Sequence, residues 1–324
     1  MKKNNFLSRI RSYAASNPES VLICAFLGLC LVCATADRFL LHRSDEFLGS
    51  LIYEIIILAV PLFIYLSLTG RAGSIGKVAK QVQIRKISYR LIFLPIIATG
   101  LLIFGSLLLD MLFFGMYDIT GGFTLYGQFT ANGDGSLIST LYMILTFAII
   151  PAVFEEIVFR RLLTSAHAKK GILPACLISG IFFALTPFSV RLIPSFLFMG
   201  MIYCVLYTVT GSLVTSISAH ILFNLYGIFL RTNIANYFVS TKDAYVLVIT
   251  ALVAFLIFGI LFTGMLSKLF VAYAKTGKTP PETPQDKAGF LQSIRFAFGV
   301  FKTPTNLACV IIYAIFIVIF AFFG

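Results

Sequence analysis

The sequence predicts an all-α, polytopic membrane protein, a helical bundle with about nine transmembrane helices. Of its 324 residues, 59% are hydrophobic and only 12% are charged, and the mean hydropathy is +0.96. The apolar residues come in long blocks, and they exceed what a single soluble core requires. The net charge of +12 is therefore interpreted through membrane topology and not as a sign of nucleic-acid binding.

Nine apolar windows are long enough to be candidate spans, since a transmembrane helix needs about 20 residues. The first and fifth windows are short, and the break between the sixth and seventh depends only on Thr210-Gly211-Ser212. The pattern is therefore compatible with seven to nine spans. The windows are 20–36, 48–69, 91–115, 137–163, 171–188, 190–210, 211–231, 243–274 and 305–323.

Basic residues predict the orientation of the chain. Four segments, which precede the first window and follow the second, fourth and eighth, hold twenty of the 25 Lys and Arg residues. Because basic residues accumulate on the cytoplasmic side, the N-terminus is expected in the cytoplasm and the C-terminus outside. We expect an integral protein of the bacterial cytoplasmic membrane, in contact with membrane lipids, whose first span is a retained signal anchor.

The chain divides into three parts. Residues 1–136 form N-terminal transmembrane helices with a basic cytoplasmic loop, 137–231 form a central core, and 232–324 form C-terminal helices with a cytoplasmic linker at 275–304. After the Pro-rich start of this linker, four aromatic or aliphatic residues recur at helical spacing beside two basic ones. They predict a short helix lying on an anionic leaflet, and the alternative is an extension of the last span. The residues are Phe290, Ile294, Phe298 and Phe301, with Arg295 and Lys302.

Charged residues inside the apolar fourth window indicate a functional or structural site. Glu155 and Glu156 follow about eighteen mostly apolar residues, and Arg160 comes one turn later. A charge at the centre of a bilayer costs roughly 2.5–3.5 kcal/mol even on mild insertion scales. Glu156 and Arg160 share a helix face as an i,i+4 pair, so Glu156 is the expected structural partner and Glu155 the candidate general base. The alternative is a purely structural ion-pair node.

The seventh window supplies a second polar pair. His220 and Asn224 lie four residues apart, hence on one helix face, and His220 and Glu155 are expected at similar depths, about 14 and 12 Å from the cytoplasmic ends of their helices. A carboxylate that takes a proton from water, opposite N–H donors that stabilise an oxyanion, could hydrolyse an amide. A packed histidine without catalytic function is the alternative. Asp110, near the outer end of the third window, is expected to snorkel or to make polar contacts between helices.

The motifs around these residues resemble those of a known family. The segment from about 137 to 231 is similar to the CAAX protease and bacteriocin-processing family (CPBP, Abi or type II CAAX prenyl endopeptidases), which carries EExxxR, FxxxH and HxxxN or HxxxD motifs. Glu155-Glu156-Ile-Val-Phe-Arg160 matches the first motif and His220-Ile-Leu-Phe-Asn224 the third. The resemblance implies an intramembrane protease in which Glu155 activates water and His220 with Asn224 forms the oxyanion site.

The second motif departs from the family pattern. Thr186 stands where the family has a histidine that helps Glu155 to bind and activate water. A threonine hydroxyl can hold a water molecule, but it cannot accept a proton near neutral pH. Some accounts of the family invoke a metal. With His220 as the remaining nitrogen donor, Glu155 and an oxygen ligand would make a poor zinc set, so we expect no cofactor, and the missing histidine disfavours zinc.

Two functions follow from these observations. The first is an intramembrane endopeptidase of the CAAX prenyl protease type, which hydrolyses a peptide bond of a membrane-associated or lipidated substrate with Glu155-activated water. The alternative, motivated by Thr186, is a catalytically degenerate family member that acts as a membrane scaffold, regulator or immunity-type protein toward a membrane-associated partner. A small-solute transporter would require an inverted repeat, which the sequence does not display.

Overall fold

The fold is all-α, as the composition predicts. The computed structural model describes residues 9, 12–14, 16–39, 46–68, 91–115, 136–187, 189–231, 233–234, 236–237, 244–276 and 289–323, which contain helices and no strand. The described part of the chain contains ten main helices. They are α1 (Pro18–Phe39), α2 (Glu46–Leu68), α3 (Phe93–Phe114), α4 (Leu137–His167), α5 (Ile172–Leu185), α6 (Ile193–Thr210), α7 (Leu213–Phe229), α8 (Ala244–Thr276), α9 (Phe290–Val300) and α10 (Pro304–Phe323).

Every predicted apolar window overlaps one of these helices, but the helices differ in length. By length and composition, four helices of the described chain could cross a membrane, namely α3, α4, α8 and the stretch Val190–Thr210 that includes α6. A fifth is possible if the bent pair α9–α10 counts as one span. The helix α5 has only 14 residues, about 21 Å at 1.5 Å per residue. The number of nine spans stays a prediction.

The chain forms two compact units, one made of residues 1–83 and 295–324 and the other of residues 84–294. In the first unit, α1 packs against α2 and α10, and its buried side chains include Leu22, Phe26 and Leu58. In the second unit, α3 lies against α6, α7 and α8, while α4 packs on α5 and α7. The division into three parts at 136 and 231 stays a prediction.

The helix α9 is a separate helix and not a straight extension of the last span. A break at 301–303 separates it from α10, and the two helices are bent by 74°. Phe290 and Phe298 expose 67% and 63% of their surface. The location of α9 on an anionic leaflet stays a prediction, and most of the linker before it, at 277–288, lies outside the described residues.

Two glycines let α5 and α6 approach closely. A methyl group at Gly200 would lie 2.8 Å from the Cα of Gly180 and 3.1 Å from the Cβ of Phe183. Real side chains do not pack at such distances, so this crossing requires glycine. The close approach also leaves the carbonyl of Gly200 accessible to Arg160, whose Nη2 donates a hydrogen bond to it at 3.2 Å.

The helix α4 contains two π-helical segments, Ile144–Ile149 and Ile157–Thr164, which flank the two glutamates. In the second segment the hydroxyl of Thr164 donates to the carbonyl of Phe159 at 2.9 Å. The Ser179 hydroxyl on α5 donates to the same carbonyl at 3.2 Å. π-helical turns are rare and often occur at functional sites, and here they surround the polar part of α4.

A buried ion pair joins α3 to the residues that follow α7. Arg231 donates to Asp110 at 2.6 Å, and the hydroxyl of Ser195 donates to the other carboxylate oxygen at 2.7 Å. Asp110 and Arg231 are each only 3% exposed. Of the two expectations for Asp110, the polar contact between helices is confirmed.

We expect Arg231→Leu to destabilise the protein by about 3–5 kcal/mol, because it leaves the Asp110 carboxylate buried without its cation. Unfolding in detergent, followed by thermal and denaturant titrations, measures this loss. The double variant Asp110→Leu/Arg231→Leu removes both charges and is expected to lose less than Arg231→Leu alone. An equal loss in the two variants would contradict the ion-pair explanation.

Candidate active site

The candidate site lies where α4 meets α7 in the second unit. It contains the two glutamates and Arg160 from α4 and His220 from α7, and the two helices pack against each other. Glu156 and Arg160 are fully buried, and His220 is 3% exposed. An ionisable cluster buried in this way is stable only if its charges contact each other.

Glu156 is the centre of the cluster. Its Oε1 atom lies 3.1 Å from Nη1 of Arg160, the partner that the i,i+4 spacing predicts. The same oxygen lies 3.0 Å from Nδ1 of His220 and accepts a hydrogen bond from it. Glu156 therefore does more than neutralise Arg160, because it also fixes one side of the imidazole ring.

Glu155 faces the other side of the same ring. Its Oε2 atom lies 3.8 Å from Nε2 of His220, and its side chain is 18% exposed, whereas that of Glu156 is 0% exposed. The two carboxylates point away from α4 in different directions. Both nevertheless reach His220, because each approaches a different nitrogen of the imidazole ring. Glu155 is thus the more accessible carboxylate of the two, and its role as general base stays a prediction.

Two aromatic side chains that the sequence did not single out complete the surroundings of His220. The ring of Tyr203 stacks on the imidazole with 4.8 Å between centroids and an angle of 18°. The ring of Phe183 meets it edge to face at 5.7 Å and 79°. Both aromatic residues are fully buried. No motif marks them, because each lies within an apolar helix and reaches the site only through packing of α5 and α6.

Asn224 and Thr186 make local contacts. The amide nitrogen of Asn224 donates to the carbonyl of Ala148 in the first π-helical segment of α4 at 3.4 Å, and the residue is 5% exposed. The hydroxyl of Thr186 donates to the carbonyl of Phe183 at 2.8 Å, at the end of α5. Asn224 thus lies one helical turn from His220, and its part in an oxyanion site, like the role of Thr186, stays a prediction.

Comparison with known proteins identifies the segment that carries this site. Residues 137–226 match the family model described as type II CAAX prenyl endopeptidase Rce1-like. These residues form an Rce1-like domain. The match confirms the resemblance that the glutamate and histidine motifs predict, and it covers α4 to α7. No curated protein and no solved structure matches the chain significantly.

The family match describes the segment that carries the site and not the whole chain. This segment is a domain of a CAAX-type protease family, and the long apolar helices on both sides of it make the chain an integral membrane protein. Its motifs place Glu156 within ion-pair or hydrogen-bond distance of Arg160 and His220, and Glu155 within 3.8 Å of His220. The buried core of the domain therefore contains a carboxylate and an imidazole that could act on a peptide bond.

The side chains of the Rce1-like domain do not suit a metal. Among the residues that the structure describes, no group of three or more His, Cys, Asp or Glu side chains converges as a metal site requires. Glu156 contacts Arg160 and Nδ1 of His220 through its Oε1 atom, at a different edge of the imidazole ring from Nε2, so Glu155 and Nε2 of His220 are the two donors that face each other. Two donors fall short of the three protein ligands of catalytic zinc sites. A catalytic step at this site therefore has to use the chain's own side chains.

Proposed function

We propose that the chain is an intramembrane endopeptidase of the CAAX prenyl protease type, acting on a membrane-associated or lipidated peptide. The observation that supports this most is the position of His220 between two carboxylates of the Rce1-like domain. Its Nδ1 binds buried Glu156 at 3.0 Å, and its Nε2 lies 3.8 Å from the more accessible Glu155. Such a carboxylate and imidazole can bind and activate one water molecule.

The proposed reaction is a general-base hydrolysis. Water between Glu155 and His220 attacks the peptide carbonyl carbon while the Glu155 carboxylate takes one of its protons. The carbonyl oxygen gains the electron pair of the broken π bond, and N–H donors stabilise this oxyanion. When the tetrahedral intermediate collapses, the C–N bond breaks and protonated Glu155 gives its proton to the leaving amine. The products are a carboxylic acid and an amine, and Glu155 is regenerated.

The hydrogen bond to Glu156 constrains the role of His220. With one imidazole proton on Nδ1, directed at Glu156, the Nε2 atom carries a hydrogen only in the imidazolium form. We therefore assign the oxyanion-stabilising role to His220 in the form that carries this hydrogen, together with the second N–H of the Asn224 amide, whose other N–H donates to the carbonyl of Ala148.

Cleavage of a prenylated peptide by the purified protein tests this proposal. The full chain is reconstituted in liposomes and mixed with a farnesylated or geranylgeranylated peptide that ends in a CAAX sequence, and mass spectrometry detects the products. We expect cleavage that protein-free liposomes lack, and a faster reaction in Thr186→His, which restores an imidazole to the second motif. Absence of cleavage in both proteins, over a panel of prenylated and unprenylated membrane peptides, would reject the proteolytic function.

The second candidate is a degenerate family member that serves as a membrane scaffold, regulator or immunity-type protein. The observation that favours it is Thr186, whose hydroxyl is already bonded to the carbonyl of Phe183. This function predicts that a cellular phenotype survives Glu155→Gln but not deletion of residues 275–302. Cleavage that appears only in Thr186→His would also favour it.

The cellular location of the protein and its partners are part of the same proposal. We place the protein in the bacterial cytoplasmic membrane with its N-terminus in the cytoplasm, as the distribution of Lys and Arg suggests. Its partners would be membrane lipids and a membrane-associated peptide or protein, without nucleic acid. The proposed reaction requires no cofactor.

A further inference from the structure

Phe183 and Tyr203 contact both ionisable groups that surround Glu156. Each ring lies against the imidazole of His220, as described above. Each also lies under the guanidinium of Arg160, whose Cζ is 4.6 Å from the Phe183 centroid and 5.1 Å from the Tyr203 centroid. The two rings come from α5 and α6, while the groups they contact come from α4 and α7. One aromatic pair therefore links all four helices of the site.

We propose that Tyr203 and Phe183 are positioning residues, which fix the plane of the His220 imidazole so that Nε2 is held toward Glu155. This inference rests on the proposed function, since it names residues that act on that reaction through His220. Neither residue belongs to the glutamate and histidine motifs, because Phe183 follows the motif phenylalanine Phe182 and Tyr203 lies on α6.

A single hydrogen bond leaves an imidazole ring some rotational freedom. The bond from Nδ1 to Glu156 favours one orientation of the ring, but its distance and angle tolerate some rotation about the Cβ–Cγ bond, a torsion with broad minima. A parallel ring at 4.8 Å on one face and a perpendicular ring at 5.7 Å restrict this rotation. The three contacts together determine where Nε2 points.

Phe183 and Tyr203 also interact electrostatically with Arg160. A guanidinium is attracted to the face of an aromatic ring within about 6 Å, and both centroids lie within that limit. Arg160 in turn holds Glu156, and Glu156 holds His220. The aromatic pair thus supports His220 directly through ring contacts and indirectly through the ion pair.

Substitutions at Tyr203 test whether its ring positions His220 or only fills the core. Tyr203→Phe keeps the stacked ring, and we expect its kcat to stay within about twofold of the parent. Tyr203→Leu removes the ring, and we expect kcat to fall by about tenfold to a hundredfold with little change in KM, since small misplacements of reacting groups are costly. Prenylated-peptide cleavage in liposomes measures both values at equal amounts of folded protein.

Tyr207→Leu provides a matched control on the same helix. Tyr207 is 2% exposed, and its hydroxyl binds Arg161 at 3.1 Å and Ser165 at 3.0 Å, away from the Glu156 cluster. A packing effect lowers the kcat of both leucine variants alike, whereas positioning lowers that of Tyr203→Leu alone. If Tyr203→Leu keeps the parent kcat while the parent cleaves, the inference is wrong and the proposed function stands.

An NMR measurement tests the inference without any activity. The chain has three histidines, so selective labelling gives few imidazole signals, and His220→Gln identifies the one from His220. A stacked phenol ring shields the imidazole protons, and we expect an upfield shift in the parent and in Tyr203→Phe but not in Tyr203→Leu. A shift that persists in Tyr203→Leu would overturn the inference. If the parent shows the shift but cleaves no peptide, the proposed function fails while the positioning of His220 by Tyr203 stands.

Discussion

Glu155→Gln is expected to lower kcat/KM for peptide cleavage by about 10²–10⁴-fold, the usual contribution of a general base. Glutamine has the same shape as glutamate and can still hold a water molecule, but it cannot take a proton from it. At 1.36 kcal/mol for each factor of ten, the loss corresponds to about 2.7–5.4 kcal/mol of transition-state stabilisation. Liposome assays with the prenylated peptide measure it.

The fold of the Glu155→Gln variant should be intact, because the Glu155 side chain is 18% exposed and is not the one that pairs with Arg160. Equal thermal unfolding of parent and variant is therefore the control. His220→Gln is the companion variant, which keeps an N–H donor but loses the ring. Undiminished cleavage by Glu155→Gln would exclude Glu155 as the base and direct attention to Glu156.

Arg160→Leu is expected to lower the free energy of unfolding by about 3–5 kcal/mol, as breaking a buried ion pair does in other proteins. The Glu156 carboxylate is 0% exposed, so without the guanidinium it would keep only His220 as a charge-bearing partner on Oε1. The hydrogen bond to the Gly200 carbonyl and the contacts with two aromatic rings would be lost as well. Denaturant titration in detergent measures the change.

Two further variants show whether loss of the Arg160 charge causes the loss of stability in Arg160→Leu. Arg161→Leu changes the neighbouring arginine, which donates one hydrogen bond to the Tyr207 hydroxyl, and should cost only about 0.5–1.5 kcal/mol. Glu156→Leu/Arg160→Leu removes both buried charges and should recover part of the stability that Arg160→Leu loses, but not the activity. If the double variant is less stable than Arg160→Leu, then Glu156 stabilises the fold mainly through His220.

Local patterns in the sequence predict much of this architecture. Long apolar windows determine where the helices form, because 18 or more apolar residues have few other stable arrangements in lipid. The i,i+4 spacing predicts the contact between Glu156 and Arg160, since side chains four residues apart share a face of a helix. The family motifs locate the Rce1-like domain, which the family model matches at residues 137–226.

Contacts between distant helices were not predictable in the same way. Arg231 meets Asp110 across 121 residues, and nothing in either local sequence indicates the partner. Phe183 and Tyr203 look like any other apolar residues of α5 and α6, and their contacts with His220 depend on how these helices pack against α7. The π-helical segments of α4 also lack a recognisable pattern, because they depend on how the helix packs against α5 and α7.

The shortness of α5 has a consequence for hydration. Its 14 residues measure about 21 Å, about 9 Å less than a hydrocarbon layer of about 30 Å. If α5 begins at one surface of that layer, its other end stops inside, and lipid tails cannot satisfy the final carbonyl groups of a helix. Protein groups satisfy part of this end, since the Thr186 hydroxyl donates to the carbonyl of Phe183. Water that reaches inward from that side would satisfy the remaining carbonyls, and the same water would be available to the proposed hydrolysis.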